Sequence, residues 1–190
     1  MSCTLAMGLA SVLLTAATAP GQTLELFSCS DQAVARQHWQ PQSGSQPVEV
    51  QQLPEGSTCV VFKASFDRPR QRACWDWKGK LDLSGASRFV FEVSATGGGA
   101  GGTLGVYFGS GPGWYARFTS AALRETWTPL VFRLDSFRPE DKPAGWDKVD
   151  RFRFSVWSAG AGAVTYRVRK ARLLAADPGE NFVKNGSFEI

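Results

Sequence analysis

The chain is poor in the residues on which metal sites and hydrolytic enzymes commonly depend. It contains a single histidine, His38, and four cysteines in 190 residues, and no two of these cysteines form a Cys-x-x-Cys pair. A zinc site built from Cys and His ligands therefore has almost no support. No nucleophile elbow is present, and no pattern brings two carboxylates together as glycoside hydrolysis requires. The sequence predicts a chain without catalytic chemistry of its own.

Long apolar runs are also absent. The longest uncharged apolar stretch covers residues 5–17, which is too short to cross a hydrocarbon core of about 30 Å as a helix. Small residues follow it, so residues 1–21 are predicted to be a signal peptide, although the usual basic residues near the start are missing. We expect an exported protein, secreted or held at the cell surface, with no membrane span.

Three cysteines remain after this segment: Cys29, Cys59 and Cys74. Export permits one disulfide, but three pairings exist and the sequence does not choose among them. Buried cysteines that act as small hydrophobic residues are an equally good interpretation.

Charge of one sign is not concentrated anywhere. The chain has 21 basic and 17 acidic residues, a net charge of +4, and the two signs are interspersed. Nucleic-acid binding needs a clustered basic surface. We therefore predict no nucleic-acid partner.

Apolar and aromatic residues recur with period two, in short runs bounded by Gly, Pro, Asp and Ser, which predicts strands and not long helices. The expected class is all-β, with two packed antiparallel sheets in residues 22–175. The clearest hairpin connections are residues 67–70 and 109–113, and residues 94–102 form a glycine-rich loop. The predicted strands cover residues 24–29, 47–52, 58–66, 71–77, 88–95, 103–109, 113–119, 127–134, 149–158 and 163–174.

Three segments carry a resemblance to a known family: residues 81–93 (LDLSGASRFVFEV), 125–134 (ETWTPLVFRL) and 149–157 (VDRFRFSVW). They resemble the galactose-binding-domain-like jelly roll of carbohydrate-binding modules appended to bacterial glycoside hydrolases. The resemblance implies a two-sheet antiparallel jelly-roll β-sandwich that binds polysaccharide or oligosaccharide. It would target an attached or partner hydrolase, whose activity would lie in another domain. A cell-surface or protein-interaction module is the alternative.

The same resemblance raises the question of a structural calcium ion, which such modules often hold near strand termini. Residues 166–174 contain no acidic side chain, which weakens that expectation, and no other cofactor is predicted. Residues 181–189 (NFVKNGSFE) are similar to the opening strand of another jelly-roll module. We therefore expect residues 176–190 to be a linker and the start of a second module in a longer protein.

Aromatic side chains are the candidate ligand-binding groups. The chain has seven tryptophans, and sugar rings stack their C–H faces on indole or phenol rings while planar polar groups bind the hydroxyls. Trp127 is expected to lie in the core. The candidate binding residues are Trp114, Tyr115, Trp157, Arg153, Arg151, Trp75, Trp77 and Trp146.

Strand alternation also predicts where the arginines lie. Arg151, Arg153 and Trp157 share one face of their strand, and Arg167 shares a face with Arg169. Tyr115 and Arg117 likewise share a face of another strand. If these strands belong to one sheet, several guanidinium groups surround one or two rings and favour acidic glycans. The competing interpretation is that acidic residues, among them Asp76, Glu92, Asp147 and Asp150, neutralise the arginines across neighbouring strands.

Overall fold

The structure is a computed structural model that describes residues 22–27, 29–42, 45–98, 100, 102–120 and 123–175. The predicted signal peptide and the predicted linker and second module lie outside the described residues.

Twelve strands make up most of the described chain. They are β1 (Gln22–Thr23), β2 (Trp39–Gln42), β3 (Glu49–Gln52), β4 (Thr58–Phe66), β5 (Arg72–Leu81), β6 (Arg88–Thr96), β7 (Thr103–Ser110), β8 (Gly113–Ser120), β9 (Thr128–Arg133), β10 (Arg138–Glu140), β11 (Val149–Trp157) and β12 (Gly162–Leu174). One helix, α1 (Gln32–His38), and short 3₁₀ turns at Glu25–Phe27, Leu134–Ser136 and Trp146–Lys148 complete the described elements.

The strands form two antiparallel sheets. Sheet A has the order β3-β4-β12-β6-β9, and β1 pairs with the far end of β12. Sheet B has the order β10-β8-β7-β11-β5-β2. This arrangement confirms the predicted all-β, two-sheet antiparallel jelly-roll sandwich.

Aromatic side chains from both sheets fill the space between them. Phe62 of sheet A lies 4.9 Å from Phe154 of sheet B, measured between ring centroids, and Phe89 lies 5.1 Å from Phe108. All four rings are completely buried. Such tilted and edge-on pairs contribute about 0.5–1.5 kcal/mol each beyond the burial of their area. The two sheets are therefore held together mainly by ring packing.

The helix α1 begins at the N-cap Asp31, whose carboxylate accepts hydrogen bonds from the backbone N–H groups of Ala33 (2.6 Å) and Val34 (3.1 Å). It spans seven residues and buries only Ala35. A helix this short shows too few repeats for a 3.6-residue period, so the sequence did not predict it. It agrees with the expectation that the domain has no long helix.

The predicted strand at residues 24–29 is wrong. Leu26 and Phe27 are consecutive and both buried, which alternation along a strand does not allow, and they belong to a 3₁₀ turn. The sequence also did not predict β2 and β10. Each contains a proline, Pro41 or Pro139, and lies at an edge of sheet B, where a residue without an N–H group is tolerated.

The two predicted hairpins differ in outcome. Residues 109–113 do connect the neighbouring strands β7 and β8, with Gly111 at a φ of 57° in the turn. Residues 67–70, in contrast, connect β4 in sheet A to β5 in sheet B, so the prediction of a hairpin there is wrong. The glycine-rich loop also crosses between the sheets. A Cβ atom at its Gly97, whose φ is +108°, would lie 2.1 Å from the carbonyl oxygen of Ala163, so this close approach requires glycine.

Cys59 and Cys74 are both buried and lie in different sheets, and neither forms a disulfide. Burial raises the pKa of the Cys59 thiol above its ordinary value. The structure thus favours buried, inert cysteines over a structural disulfide between them. In the described part of the chain, no helix is both long and apolar enough to span a bilayer.

Candidate functional site

The outer side of sheet B brings aromatic rings and arginines together. Residues opposite one another in register point to the same side of a sheet, so Trp114 of β8, Gly109 of β7 and Arg151 of β11 form one transverse row. Phe118, Gly105 and Ser155 form another. We call this surface the aromatic face, and it comprises Arg72, Asp76, Tyr107, Trp114, Phe118, Arg151, Arg153 and Trp157.

Four rings of the aromatic face are in continuous contact. The ring centroid of Tyr107 lies 6.2 Å from that of Trp114 and 5.4 Å from that of Phe118. The centroid of Phe118 lies 5.6 Å from that of Trp157. Phe118 is 42% exposed, which is unusual for a large apolar side chain in this protein. Tyr107 is only 7% exposed, so Trp114, Phe118 and Trp157 provide the accessible part of this ring cluster around it.

Two glycines of β7 allow the rings to lie across the sheet. A Cβ atom at Gly105 would come within 2.9 Å of the Trp157 ring and 3.2 Å of the Phe118 ring. A Cβ atom at Gly109 would lie 2.6 Å from Nε of Arg151 and 3.0 Å from the Trp114 ring. Side chains from β8 and β11 therefore meet above β7, which lies between them.

Arg151 and Arg153 both lie against Trp114, each with its guanidinium carbon 4.7 Å from the ring centroid. Arg153 donates two hydrogen bonds to the Asp76 carboxylate, at 2.5 and 2.7 Å, and this pairing raises the pKa of Arg153. Arg151 donates to the carbonyl oxygen of Gly111 (2.5 Å) and lies 3.1 Å from the Asp150 carboxylate. Both guanidinium groups are held in place.

Arg72 occupies the other end of the aromatic face. Its guanidinium carbon lies 4.9 Å from the ring centroid of Trp157 and 5.8 Å from that of Tyr107. Its Nε donates a hydrogen bond to Oγ of Ser155 at 3.0 Å. Within the described ranges of the chain, no carboxylate lies at ion-pair distance from Arg72.

Of the predicted binding residues, the structure brings together Trp114, Trp157, Arg151 and Arg153. Trp75 has no exposed surface, and its Nε1–H donates to the carbonyl oxygen of Gln46 at 2.7 Å. It is therefore a core residue and not the predicted binding residue. The reason is alternation along β5, which directs Trp75 inward and its neighbours outward.

Three further predicted residues do not belong to the aromatic face. Trp77 lies on the opposite side of β5 from Asp76 and stacks on His38, with centroids 5.9 Å apart and an interplanar angle of 22°. Tyr115 and Trp146 stack on each other with centroids 3.9 Å apart, and both pack against the core. These three rings stabilise the sandwich and do not line the aromatic face.

The prediction that the arginines share one surface of one sheet is wrong. Because β12 lies in sheet A and β11 in sheet B, Arg167 and Arg169 are on the other side of the molecule from Arg151 and Arg153. Arg169 pairs with Glu92 at 2.7 Å and with Glu55. The competing interpretation, neutralisation across strands, therefore describes this part of the protein.

The structure also places Tyr115 and Arg117 away from the aromatic face, and Trp127 away from the main core. Arg117 and Tyr115 lie on the opposite side of β8 from Trp114, away from the aromatic face. Trp127 is not in the main core. It half-covers a small apolar cluster on the outside of sheet A, where Arg169 stacks over its ring at 4.1 Å.

Sequence reasoning did not identify Tyr107, Phe118 or Arg72 as site residues. A signal was present for Phe118, because it follows Trp114 by four residues on one strand and so points to the same side. Tyr107 and Arg72 could be found only once β7 and β5 were known to flank β11. As for metals, the described residues contain no group of three or more His, Cys, Asp or Glu side chains able to hold an ion. A structural calcium ion stays an untested expectation.

The fold of this chain matches solved structures, although its sequence matches no known family. No protein-family model and no curated protein sequence matches the chain. Solved structures do match. The family 11 carbohydrate-binding module of a cellulosomal cellulase of Clostridium thermocellum superposes with a TM-score of 0.58 at 12% identity, over 84% of this chain and 97% of that one. The fold is the jelly roll of carbohydrate-binding modules.

Two other solved structures agree. A family 30 carbohydrate-binding module matches with a TM-score of 0.54 at 10% identity, over 73% of this chain and 80% of that one. An exo-β-agarase matches with a TM-score of 0.59 at 9% identity, over 80% of this chain and 25% of the agarase. At these identities the likeness concerns the fold and does not identify the residues of a binding site.

Proposed function

We propose that the chain is a non-catalytic carbohydrate-binding module that binds polysaccharide on the aromatic face. The single observation that carries this proposal is the cluster of rings on the outside of sheet B, in which Trp114, Phe118 and Trp157 surround the nearly buried Tyr107.

The chemistry of the aromatic face suits a sugar chain. Sugar rings present C–H groups that pack on aromatic faces, and their hydroxyls need hydrogen-bonding partners beside the rings. Asp76 and Arg153 provide acceptor and donor groups next to Trp114, and their mutual hydrogen bonds hold both in position before a ligand arrives. A surface fixed in advance loses little side-chain entropy on binding.

The structural neighbours support this proposal. The family 11 module has also been solved in complex with a β-1,3-1,4-mixed-linked tetrasaccharide, and that structure superposes with a TM-score of 0.58 at 14% identity. The alternative of a protein-interaction module is less well supported. Protein partners favour contiguous apolar patches, whereas guanidinium groups interrupt the aromatic face at both ends.

Retention of the full chain in gels that contain mixed-linked β-glucan, agarose or an acidic polysaccharide tests the proposal. We expect retention by at least one polymer, and we expect Trp114→Ala and Trp157→Ala to weaken it by about tenfold each, equivalent to about 1.4 kcal/mol. Trp127→Ala is the matched control, because Trp127 also lies under an arginine but on the other sheet. An equal loss in the Trp127→Ala variant, or no retention by any polymer, would contradict the proposal.

We also propose that the module is exported and holds an attached or partner glycoside hydrolase on its polysaccharide. The support is the apolar segment at residues 5–17 and the similarity of residues 181–189 to the start of another module. Amino-terminal sequencing of the protein from culture medium should give a chain that begins at Gln22. Full-length protein retained inside the cells would contradict export.

A further inference from the structure

We propose that the aromatic face selects polysaccharides that carry carboxylate or sulfate groups, and that Arg72 is the residue that pairs with the anion. This inference rests on the proposed function and names the class of its ligand.

Arg72 differs from the other two arginines of the aromatic face in what its guanidinium contacts. Arg153 donates through Nε and Nη2 to the two oxygens of Asp76, and Arg151 is paired with Asp150 and the Gly111 carbonyl. In the part of the chain that the structure describes, Arg72 donates only through Nε, to Ser155. Its two terminal nitrogens are therefore available for a bidentate bond to an anionic group.

Arg72 lies over the Trp157 ring, so its charge is part of the surface that a ligand on the aromatic face would contact. Its guanidinium lies between the rings of Trp157 and Tyr107, at 4.9 and 5.8 Å from their centroids. The ring contacts and the bond to Ser155 fix the direction of the group. A polysaccharide bound beside Trp157 would therefore meet a cation that is already oriented.

The charges around the rings agree with this assignment. The register places Lys78 beside Arg151, and on the neighbouring edge strand it places Arg138 and Glu140 beside β8. Among the residues that the structure describes, the basic side chains on the outer side of sheet B (Arg72, Lys78, Lys80, Arg138, Arg151 and Arg153) therefore outnumber the acidic ones (Asp76, Glu140 and Asp150).

On the outer side of sheet A several cations have carboxylate partners, although Arg167 bonds only Gln51 among the described residues. Lys63 pairs with Glu49, and both Arg169 and Lys170 pair with Glu92. Within the described chain Arg72 has no carboxylate at ion-pair distance, and its positive charge lies beside the rings of the aromatic face, where it raises the local concentration of an anionic polymer.

Gel retention of the full chain with four polymers tests the inference: polygalacturonate, a sulfated galactan, agarose and mixed-linked β-glucan. We expect tighter retention by one or both of the anionic polymers, weakened by added salt as screening predicts. Arg72→Gln should weaken that retention by about tenfold, in keeping with the loss of a charge-assisted bond. Arg72→Lys keeps the charge without the planar fork and should give a smaller loss.

The matched control is Arg167→Gln, because Arg167 is a half-exposed arginine on the outer side of sheet A that bonds only Gln51 among the described residues. This variant should bind like the wild type, and thermal melting should show that all variants fold. Salt-insensitive retention by neutral polymers alone, unchanged in Arg72→Gln, overturns the inference but leaves the proposed function standing. If no polymer is retained, both fail.

Discussion

The carboxylate of Asp76 and the guanidinium of Arg153 form a two-point ion pair across neighbouring strands, with Nε–Oδ1 and Nη2–Oδ2 distances of 2.5 and 2.7 Å. Asp76 is 16% exposed and Arg153 25% exposed, so water screens this pair less than a pair at the surface. The same arginine lies over Trp114. The pair therefore connects the stability of sheet B to the shape of the aromatic face.

Because each partner satisfies the other, removal of one leaves a partly buried charge unpaired. Asp76→Asn should lower the free energy of unfolding by about 2 kcal/mol, measured by chemical denaturation, and should also weaken polysaccharide retention. Asp135→Asn is the control, since Asp135 pairs with Arg133 at 2.7 Å but both side chains are at least half exposed. There the loss should be under about 0.5 kcal/mol. Equal losses in the two variants would refute the prediction.

A buried hydroxyl in the core gives a prediction about stability. Tyr166 is completely buried, and its hydroxyl has no hydrogen-bond partner within the described chain. Tyr166→Phe removes this unsatisfied group and should raise the free energy of unfolding by about 1 kcal/mol at neutral pH. Tyr115→Phe, at a residue that is only half-buried, should change it by less than about 0.5 kcal/mol. A destabilised Tyr166→Phe variant would show that the hydroxyl has a partner.

The same tyrosine gives this variant a distinct pH dependence. Burial raises the pKa of Tyr166 to about 12, above the value of about 10 expected in the unfolded chain. The folded state therefore binds the phenol proton of Tyr166 more tightly than the unfolded chain does. The stability that comes from this difference is complete below pH 10 and is lost as the pH rises towards 12. Over that range the wild type should lose stability more steeply than Tyr166→Phe in denaturation series.

The glycines beneath the rings provide a test of their arrangement. In Gly105→Ala the new Cβ would lie 2.9–3.2 Å from the rings of Trp157, Tyr107 and Phe118, so these rings must move. We expect polysaccharide retention to fall several-fold and the free energy of unfolding to fall by about 1–2 kcal/mol. Gly85→Ala is the control, because no atom lies within 4 Å of its Cβ position. Full retention by Gly105→Ala would show that the ring positions do not matter for binding.

Much of the strand content could be predicted from local pattern. The prediction for residues 58–66 coincides with β4, and the prediction for 149–158 differs from β11 by one residue. Alternation also separated Arg151, Arg153 and Trp157 from the core side of their strand. Side chains alternate between the two sides of any strand, so this information is present in the sequence itself.

Membership of a sheet could not be predicted in that way. The strands β4 and β5 follow one another but belong to different sheets, as do β11 and β12, because a jelly roll repeatedly crosses between its layers. Alternation shows that Arg153 and Arg167 each face outward, but it does not show that they face outward on opposite sides of the protein. The expectation of one arginine-rich surface failed for this reason.

The sequence by itself determined the class of fold, most strand positions and the inward or outward side of most strand residues, because all three depend on neighbours along the chain. Only the tertiary structure decided which outward side chains meet. Trp114, Tyr107, Phe118, Trp157 and Arg72 come from four strands, and the pairing of β5, β11, β7 and β8 brings them together. That pairing depends on packing between residues distant in sequence, and above all on the aromatic core that joins the two sheets.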